Sequence, residues 1–364
     1  MSAARDAVLV TGATGLVGFG VVRTLLDTRP DLDALVLVRN VARWQALASR
    51  LGPLAARVRP VTGDVTAPDL GLRASDRATL RARSILAVHA AADTRFARPL
   101  ADARATNAAG TGHVLACVAA CPRLERIVHV STTYVCGRRH GVVLEADNGE
   151  DHGWVNGYEQ SKYEAEALVR ASGLPYVIVR PSTIVCDTVH GAVSQLNAVH
   201  HTLRLWYDGL VPLMPGTSDT PADVVPLDVV SGAIVHLAVH PDARGATVHL
   251  AGGAASKTVG EIVALAWELW GADPTWGRRA IPQPALVDLP TYRLFEQSVC
   301  ETGDAHLQRI VRSLERFAPQ LAYPKRFDTT RARALLRDVD FDVNALWHTV
   351  LHHTAARATS EAAA

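Results

Sequence analysis

Val8-Leu9-Val10-Thr11-Gly12-Ala13-Thr14-Gly15-Leu16-Val17-Gly18 joins an apolar run to a helix-forming run through glycines spaced G-x-x-G-x-x-G. Each glycine has its own task in such a turn. Gly12 permits the tight reversal after a strand, Gly15 lets backbone approach a pyrophosphate, and Gly18 lets the helix pack closely on the strand. The N–H groups around Thr14, Gly15, Leu16 and Val17 then lie at a helix N-terminus. Unpaired donors and a positive dipole end favour an anion there. Its place directly after the first strand reads as a dinucleotide-binding element rather than a plain strand–helix connection.

Outward from this turn, short apolar runs alternate with helical ones. Strands are predicted at Ala7–Val10, Ala34–Val38, Arg57–Val61, Ile85–His89, Arg126–Val130 and Tyr176–Val179. They are nearly continuous in Val, Ile and Leu, as parallel strands buried on both faces should be. Helices are expected over Leu16–Asp27, Ala101–Ala120 and Tyr158–Ser172. The fold class is therefore α/β, a doubly wound parallel (Rossmann) sheet.

Beyond Pro181 the rhythm changes. A helix at Val193–Tyr207, a loop at Gly209–Pro226, a helix at Asp228–His240 and a strand at Ala246–Leu250 are expected. Helices should follow at Ser256–Trp270, roughly Pro284–Leu314, Thr330–Leu336 and Val343–His353. Residues 1–185, completed by about 223–255, would form the nucleotide-binding domain. Residues 186–222 and 256–354 would form a smaller, mainly helical substrate-binding cap over the C-terminal edge of the sheet, where ligands bind in such folds. Residues 355–364 read as a flexible tail.

Composition excludes several classes. Among 364 residues, 37 Lys plus Arg nearly balance 36 Asp plus Glu, so no global field points to nucleic acid. The five cysteines, Cys117, Cys121, Cys136, Cys186 and Cys300, have no metal-finger spacing. No metal site is expected, and a reducing cytoplasm is the simpler setting. The start Met1–Asp6 lacks the apolar core of a secretory signal, and no window approaches the ~18 apolar residues of a membrane span.

The second strand ends in Leu37-Val38-Arg39-Asn40. An acidic residue there would bind the ribose 2′-OH of NAD, whereas arginine accommodates a 2′-phosphate, so Arg39, with Arg43, points to NADPH. Gly63-Asp64-Val65 after the third strand can meet the adenine. Ala90-Ala91-Ala92 after the fourth lets the chain pass close to the nicotinamide ribose. Tyr158 and Lys162, four apart on one helix face, can bring a phenol and an ammonium to one reacting atom. A hydroxyl cluster, Ser131-Thr132-Thr133, follows the fifth strand.

The set resembles the extended short-chain dehydrogenase/reductases. Thr11-Gly12-x-x-Gly15-x-x-Gly18, Gly63-Asp64, His89-Ala90-Ala91-Ala92, Asn107-Ala108-Ala109-Gly110-Thr111, Val130-Ser131-Thr132, Tyr158-x-x-x-Lys162 and Arg180-Pro181-Ser182 stand in family order over roughly residues 7–255. The resemblance implies that Tyr158 is the catalytic acid. It also implies that Lys162 binds the nicotinamide ribose and lowers the Tyr158 pKa. Thr132, with Ser131 as neighbouring candidate, would hold the substrate oxygen, and Pro181 and Thr183 would line the cofactor. Cys136 stands where the family usually has tyrosine, at a position that is not catalytic.

Within that superfamily the chain is similar to fatty acyl-CoA reductases and terminal thioester reductase domains. His129-Val130-Ser131-Thr132-Thr133-Tyr134-Val135, Tyr158-Glu159-Gln160-Ser161-Lys162-Tyr163-Glu164-Ala165-Glu166, Asp223–Val230 and Arg326-Phe327-Asp328 carry this likeness. It implies NADPH-dependent reduction of an acyl thioester, on CoA or on a separate carrier protein, to an aldehyde or on to an alcohol. An epimerase, dehydratase or alcohol dehydrogenase acting on a sugar nucleotide or steroid-like substrate would use the same pair but normally prefer NAD. A non-catalytic NADP sensor need not keep all three of Thr132, Tyr158 and Lys162. Oligomeric state is not readable from the chain. Glu164 and Glu166 are expected as solvated charges, His200 and His201 as partly exposed, and Trp267 and Trp270 as core contacts.

Overall fold

The computed structural model describes residues 5–188, 195–314, 318–336 and 340–362. Seven strands form its main sheet: β1 Ala7–Thr11, β2 Asp33–Val38, β3 Val58–Thr62, β4 Ser84–His89, β5 Arg126–Val130, β6 Tyr176–Pro181 and β7 Thr247–Leu250. They lie in the order β7-β6-β5-β4-β1-β2-β3, with every pairing parallel. The chain leaves β1 for β2 on one side and later returns to place β4 on the other. The strand order therefore reverses between β1 and β4, which opens a crevice at their C-terminal ends.

All five residues of β1 are buried, so both faces of the sheet are covered. One face packs on helices Leu16–Thr28 and Leu227–Val239 through Val21, Leu25, Ile234 and Leu237. A Cβ placed on Gly20 would come 2.4 Å from Ser231 Oγ, so these helices approach as closely as they do because position 20 lacks a side chain. The other face packs on helices Gly110–Ala119 and Gly157–Ala171 through Val114, Val118 and Val169.

A second apolar core lies outside the sheet. Trp206, Trp270, Trp276 and Trp347 meet there with Val259, Ile262, Val350 and Leu351. It is built by helices Ala198–Asp208, Val259–Gly271 and Val343–Ala362, with Pro274–Gly277. Trp270 and Trp267 are core contacts, as their spacing suggested. Two short parallel pairs tie chain beyond the cap insertion back to the sheet domain. Thr183–Ile184 pairs with Val224–Val225, and Gly141–Val143 pairs with Lys325–Phe327.

Several expectations change. The expected loop Gly209–Pro226 contains Leu213–Pro215 and Val224–Val225, each too short to show a period. The expected helix Pro284–Leu314 divides into strand Ala285–Val287 and helices Leu289–Glu301 and Ala305–Leu314. Asp288 caps the first of these by accepting from Thr291 N at 2.7 Å, and Gly303 takes φ +71° between the two. The helix predicted from Val193 starts at Ala198, after an Asn197/His200 capping box, and residues 193–194 lie outside the described residues. The tail expected from 355 is helical as far as Ala362. Ala358 packs in the cap core, and Glu361 pairs with Arg204 at 2.7 Å. No helix among the described residues is long and apolar enough to cross a membrane.

Candidate active site

The glycine turn forms one wall of the crevice. Gly12 has φ +72°, and a Cβ there would sit 2.6 Å from the carbonyl carbon of Ala90 and from Ala91 N. A Cβ on Gly18 would come 2.2 Å from Gly12 O, so both positions require glycine for close approach. Gly15 caps helix Leu16–Thr28 with extended backbone, and the helix has neither a side-chain cap nor an acidic residue in its first turn. Asn40, Asn156, Asn197 and Thr258 do cap their helices with side chains. The Gly15 N–H is taken by Gly12 O at 2.8 Å, which leaves the first-turn donors of Leu16 and Val17 for an anion, beside Thr14, and this fits a dinucleotide pyrophosphate. Ala90 and Ala91 lie directly against this turn, and Ala92 follows them in the chain.

The ends of β2 and β3 place Arg39 and Asp64 side by side, 3.9 Å apart, with the arginine 78% exposed. Asp64 Oδ1 accepts from Thr66 N and Thr66 Oγ1, both at 2.9 Å. Arg43 lies in the first turn of the next helix, Val41–Ala48, its N–H donating to Asn40 Oδ1 and its side chain exposed. Val65 is buried and packs toward Gly110. At the other end of the crevice, Pro181 closes β6, and the Thr183 hydroxyl is held 3.0 Å from the Tyr134 hydroxyl.

Asn156 starts helix Gly157–Ala171, the candidate catalytic helix, by accepting from Glu159 N at 3.1 Å. Tyr158, Lys162 and Glu166 then fall on one buried face. The Tyr158 phenol faces the Thr132 hydroxyl, and the Phe96 ring lies 5.4 Å from its ring. Ser131 lies beside Glu166 instead, so Thr132 is the hydroxyl that the fold brings to the phenol. Lys162 Nζ donates to Val130 O at 2.7 Å and to His129 Nε2 at 3.3 Å. Burial lowers the ammonium to about 8. Burial also pushes the phenol up to about 12, against a smaller opposing pull from Thr132. The expected lowering of Tyr158 by Lys162 is therefore not what the free protein shows. The lysine stem turns its charge beneath the end of β5, and the phenol stays a neutral donor.

Residues outside the expected set complete the site. The helix expected over Ala101–Ala120 runs from Leu100 to Ala119 without interruption, widened by a π turn at Ala105–Ala109 between Leu100–Arg104 and Gly110–Ala119. The turn carries Asn107, whose Nδ2 donates to Asp93 O at 3.0 Å and to Ser161 Oγ at 2.9 Å. Its Oδ1 accepts from Asp93 N at 2.8 Å. Asn107 thus ties the loop after β4 to the catalytic helix. His89 lies beneath, its Nδ1 2.7 Å from Thr11 Oγ1 and its Nε2 2.9 Å from Thr111 Oγ1.

Glu166 is not solvated. Both its oxygens are buried against Arg180, at 2.8 Å to Nε and 2.7 Å to Nη2, and the arginines hold its carboxyl down to about 2 against the cost of burial. Its neighbour Glu164 does stay near the surface, paired with Arg104 at 2.6 Å. Glu159, buried beside Tyr158, is pushed up to about 7 by desolvation and accepts from Gln320 Nε2 of the cap. His200, expected to be partly exposed, is buried with Nδ1 2.8 Å from Asn197 Oδ1, while His201 is exposed.

A doubly wound sheet with an uncapped glycine turn and a buried Thr–Tyr–Lys set at the strand ends has the form of an extended short-chain dehydrogenase/reductase. Within that class the chain belongs to the male sterility protein family, whose profile matches residues 10–234. It is 31% identical over 264 residues to one of the linear gramicidin synthase proteins of Brevibacillus parabrevis, covering 67% of this chain and 5% of that one. It is 24% identical over 322 residues to fatty acyl-CoA reductase 8 of Arabidopsis thaliana, covering 67% of this chain and 65% of that one. The chain thus spans less than two thirds of these relatives' lengths.

Among solved structures, the terminal R domain of the myxalamid PKS-NRPS pathway superposes with TM-score 0.79 at 26% identity, over 98% of this chain and 92% of that one. UDP-glucuronic acid 4-epimerase of Bacillus cereus superposes at 0.67 with 14% identity, over 97% and 99%, a likeness of fold alone.

Proposed function

We propose that this chain is an NADPH-dependent reductase of an acyl thioester, carried on CoA or on a separate carrier protein, giving an aldehyde and, where the aldehyde is retained, the alcohol. The observation that carries the reading is the likeness to an R domain at 26% identity over 98% of the chain, cap included. The cap also encloses a small apolar cavity of ≈ 30 Å³ lined by Trp206, Met214, Val259, Ile262, Leu321 and Trp347. Val224, on its wall, pairs with Thr183–Ile184 at the edge of the crevice. The two apolar cores favour a nucleotide-binding domain of residues 1–185 and about 223–255 with a cap of 186–222 and 256–354, although Ala332 and Leu336 pack in the sheet core and Val185 and Val224 in the cap core.

Bound reduced nicotinamide supplies the hydride, and Arg39, exposed and only loosely held by Asp64, favours the 2′-phosphate form. Lys162 would hold the nicotinamide ribose. Tyr158 and Thr132 together would bind the thioester carbonyl oxygen, stabilising negative charge as it develops there. A phenol held up to about 12 stays protonated until that oxygen becomes a stronger base, and then donates its proton. As the C–S bond of the hemithioacetal breaks, its hydroxyl gives the proton back to the Tyr158 phenolate, and a thiolate leaves with the aldehyde as the other product. Loss of NADPH absorbance with a panel of acyl-CoAs, aldehydes and UDP-sugars tests the reading. Turnover of thioesters supports it, and turnover confined to UDP-sugars sinks it.

A further inference from the structure

His129, the penultimate residue of β5, is wholly buried with its Nε2 3.3 Å from Lys162 Nζ. An ammonium has only hydrogens to give, so Nε2 must be the bare nitrogen and the ring proton must sit on Nδ1. Among the described residues Nδ1 has no hydrogen-bond partner. A buried imidazole with one satisfied nitrogen is poor stabilisation for its own sake. What it does is accept from the lysine.

The neighbouring ring is fixed in the other tautomer. Thr111 Oγ1 donates to Asn107 O at 2.5 Å, so it must accept from His89 Nε2–H, and His89 Nδ1 accepts from the Thr11 hydroxyl. The two ring centroids are 5.4 Å apart. The charged and titratable groups facing His129 are Lys162 and Arg170 from the catalytic helix and His89 from β4. With burial, all three oppose a charge on its ring. Glu166 faces Lys162 from one turn along the same helix and favours its ammonium.

We propose that His129 is the positioning residue for Lys162: neutral Nε2 and the Val130 carbonyl take two ammonium hydrogens and leave the third for a ribose hydroxyl of the cofactor. The inference rests on the cofactor-holding role given to Lys162 above and is independent of whether the substrate is a thioester.

Two measurements test it on the full chain. Nitrogen NMR of histidine-labelled protein should show His129 as the Nδ1–H tautomer, unchanged from roughly pH 6 to 9. An Nε2–H tautomer, or a ring that titrates in that range, overturns the proposal even if no variant folds. In His129→Leu the acceptor is gone, and the NADPH dissociation constant should rise and kcat fall, each about tenfold or more, the scale of a hydrogen bond to a charged group. His129→Gln, which can present an oxygen to Nζ, should recover most of both. A Leu variant that folds and matches the wild type in cofactor binding and in the pH profile of kcat overturns it. Turnover is read with whichever carbonyl substrate the protein accepts. Failure of the thioester reading would leave the tautomer and the cofactor binding as expected.

Discussion

Glu166→Gln should cost about 3–5 kcal/mol of stability at neutral pH. The substitution keeps the shape of the side chain but leaves the Arg180 guanidinium without its anion. Arg180 is as deeply buried as Glu166, and its remaining contacts are neutral: the carbonyls of Asp147 at 2.6 Å and Glu145 at 3.2 Å, and His249 Nε2 at 3.5 Å. Proton linkage gives a similar size. A buried carboxyl held at about 2 instead of 4.5 contributes roughly 3 kcal/mol when ionised. Because the folded value is depressed, that contribution is full above pH 4.5 and lost as pH falls toward about 2.

Urea unfolding followed by the fluorescence of the seven tryptophans, repeated at several pH values, reads both effects. The variant should unfold at lower urea at neutral pH, and its loss of stability in acid should be shallower than that of the wild type. A penalty under about 1 kcal/mol at neutral pH, or an unchanged acid limb, would refute the reasoning. Lys162 would also lose the carboxylate that favours its ammonium, so the variant's activity should decline at a lower pH than the parent's.

Three further outcomes follow from the site. Tyr158→Phe should lower turnover by ~10²–10⁴-fold while NADPH still binds, and a variant keeping more than about a tenth of the activity would remove the phenol from the mechanism. Arg39→Ala should raise the Kd for NADPH about tenfold and leave that for NADH nearly unchanged, the size of one charge-assisted contact; equal effects on both would sink the 2′-phosphate assignment. With Lys162 at about 8, kcat/KM for cofactor should be level below that pH and fall above it as the ammonium is lost, and a rise through the same range would contradict its charged role.

What was readable from the chain follows the reach of each physical constraint. Gly12, Gly15 and Gly18 act within one turn, and their spacing alone tells what backbone they permit. Arg39 is placed by the end of a single strand. Tyr158 and Lys162 share a face by helical geometry. The same geometry carries on to Glu166, eight residues from Tyr158, and that periodicity was the signal that it faces inward. Its partner Arg180 comes from a separate strand, so the pairing exists only once β6 lies beside the helix. His129 and His89 sit in motifs that were legible, yet their roles depend on opposed tautomers set by Thr11, Thr111, Asn107 and Lys162 from four different elements. The cap was least legible. Strands of two or three residues leave no period, and the last helix is held by Arg204, more than 150 residues upstream of Glu361.

Purified protein mixed with NADPH and either acyl-CoA or acyl-pantetheine, with reduced nicotinamide and free thiol followed together, tests the central claim most directly. Thiol release should rise in step with NADPH oxidation, one thiol for each hydride if the aldehyde leaves and one for every two if it is carried to the alcohol. Oxidation of NADPH by aldehydes or ketones alone, with no thiol released from any thioester, would contradict it.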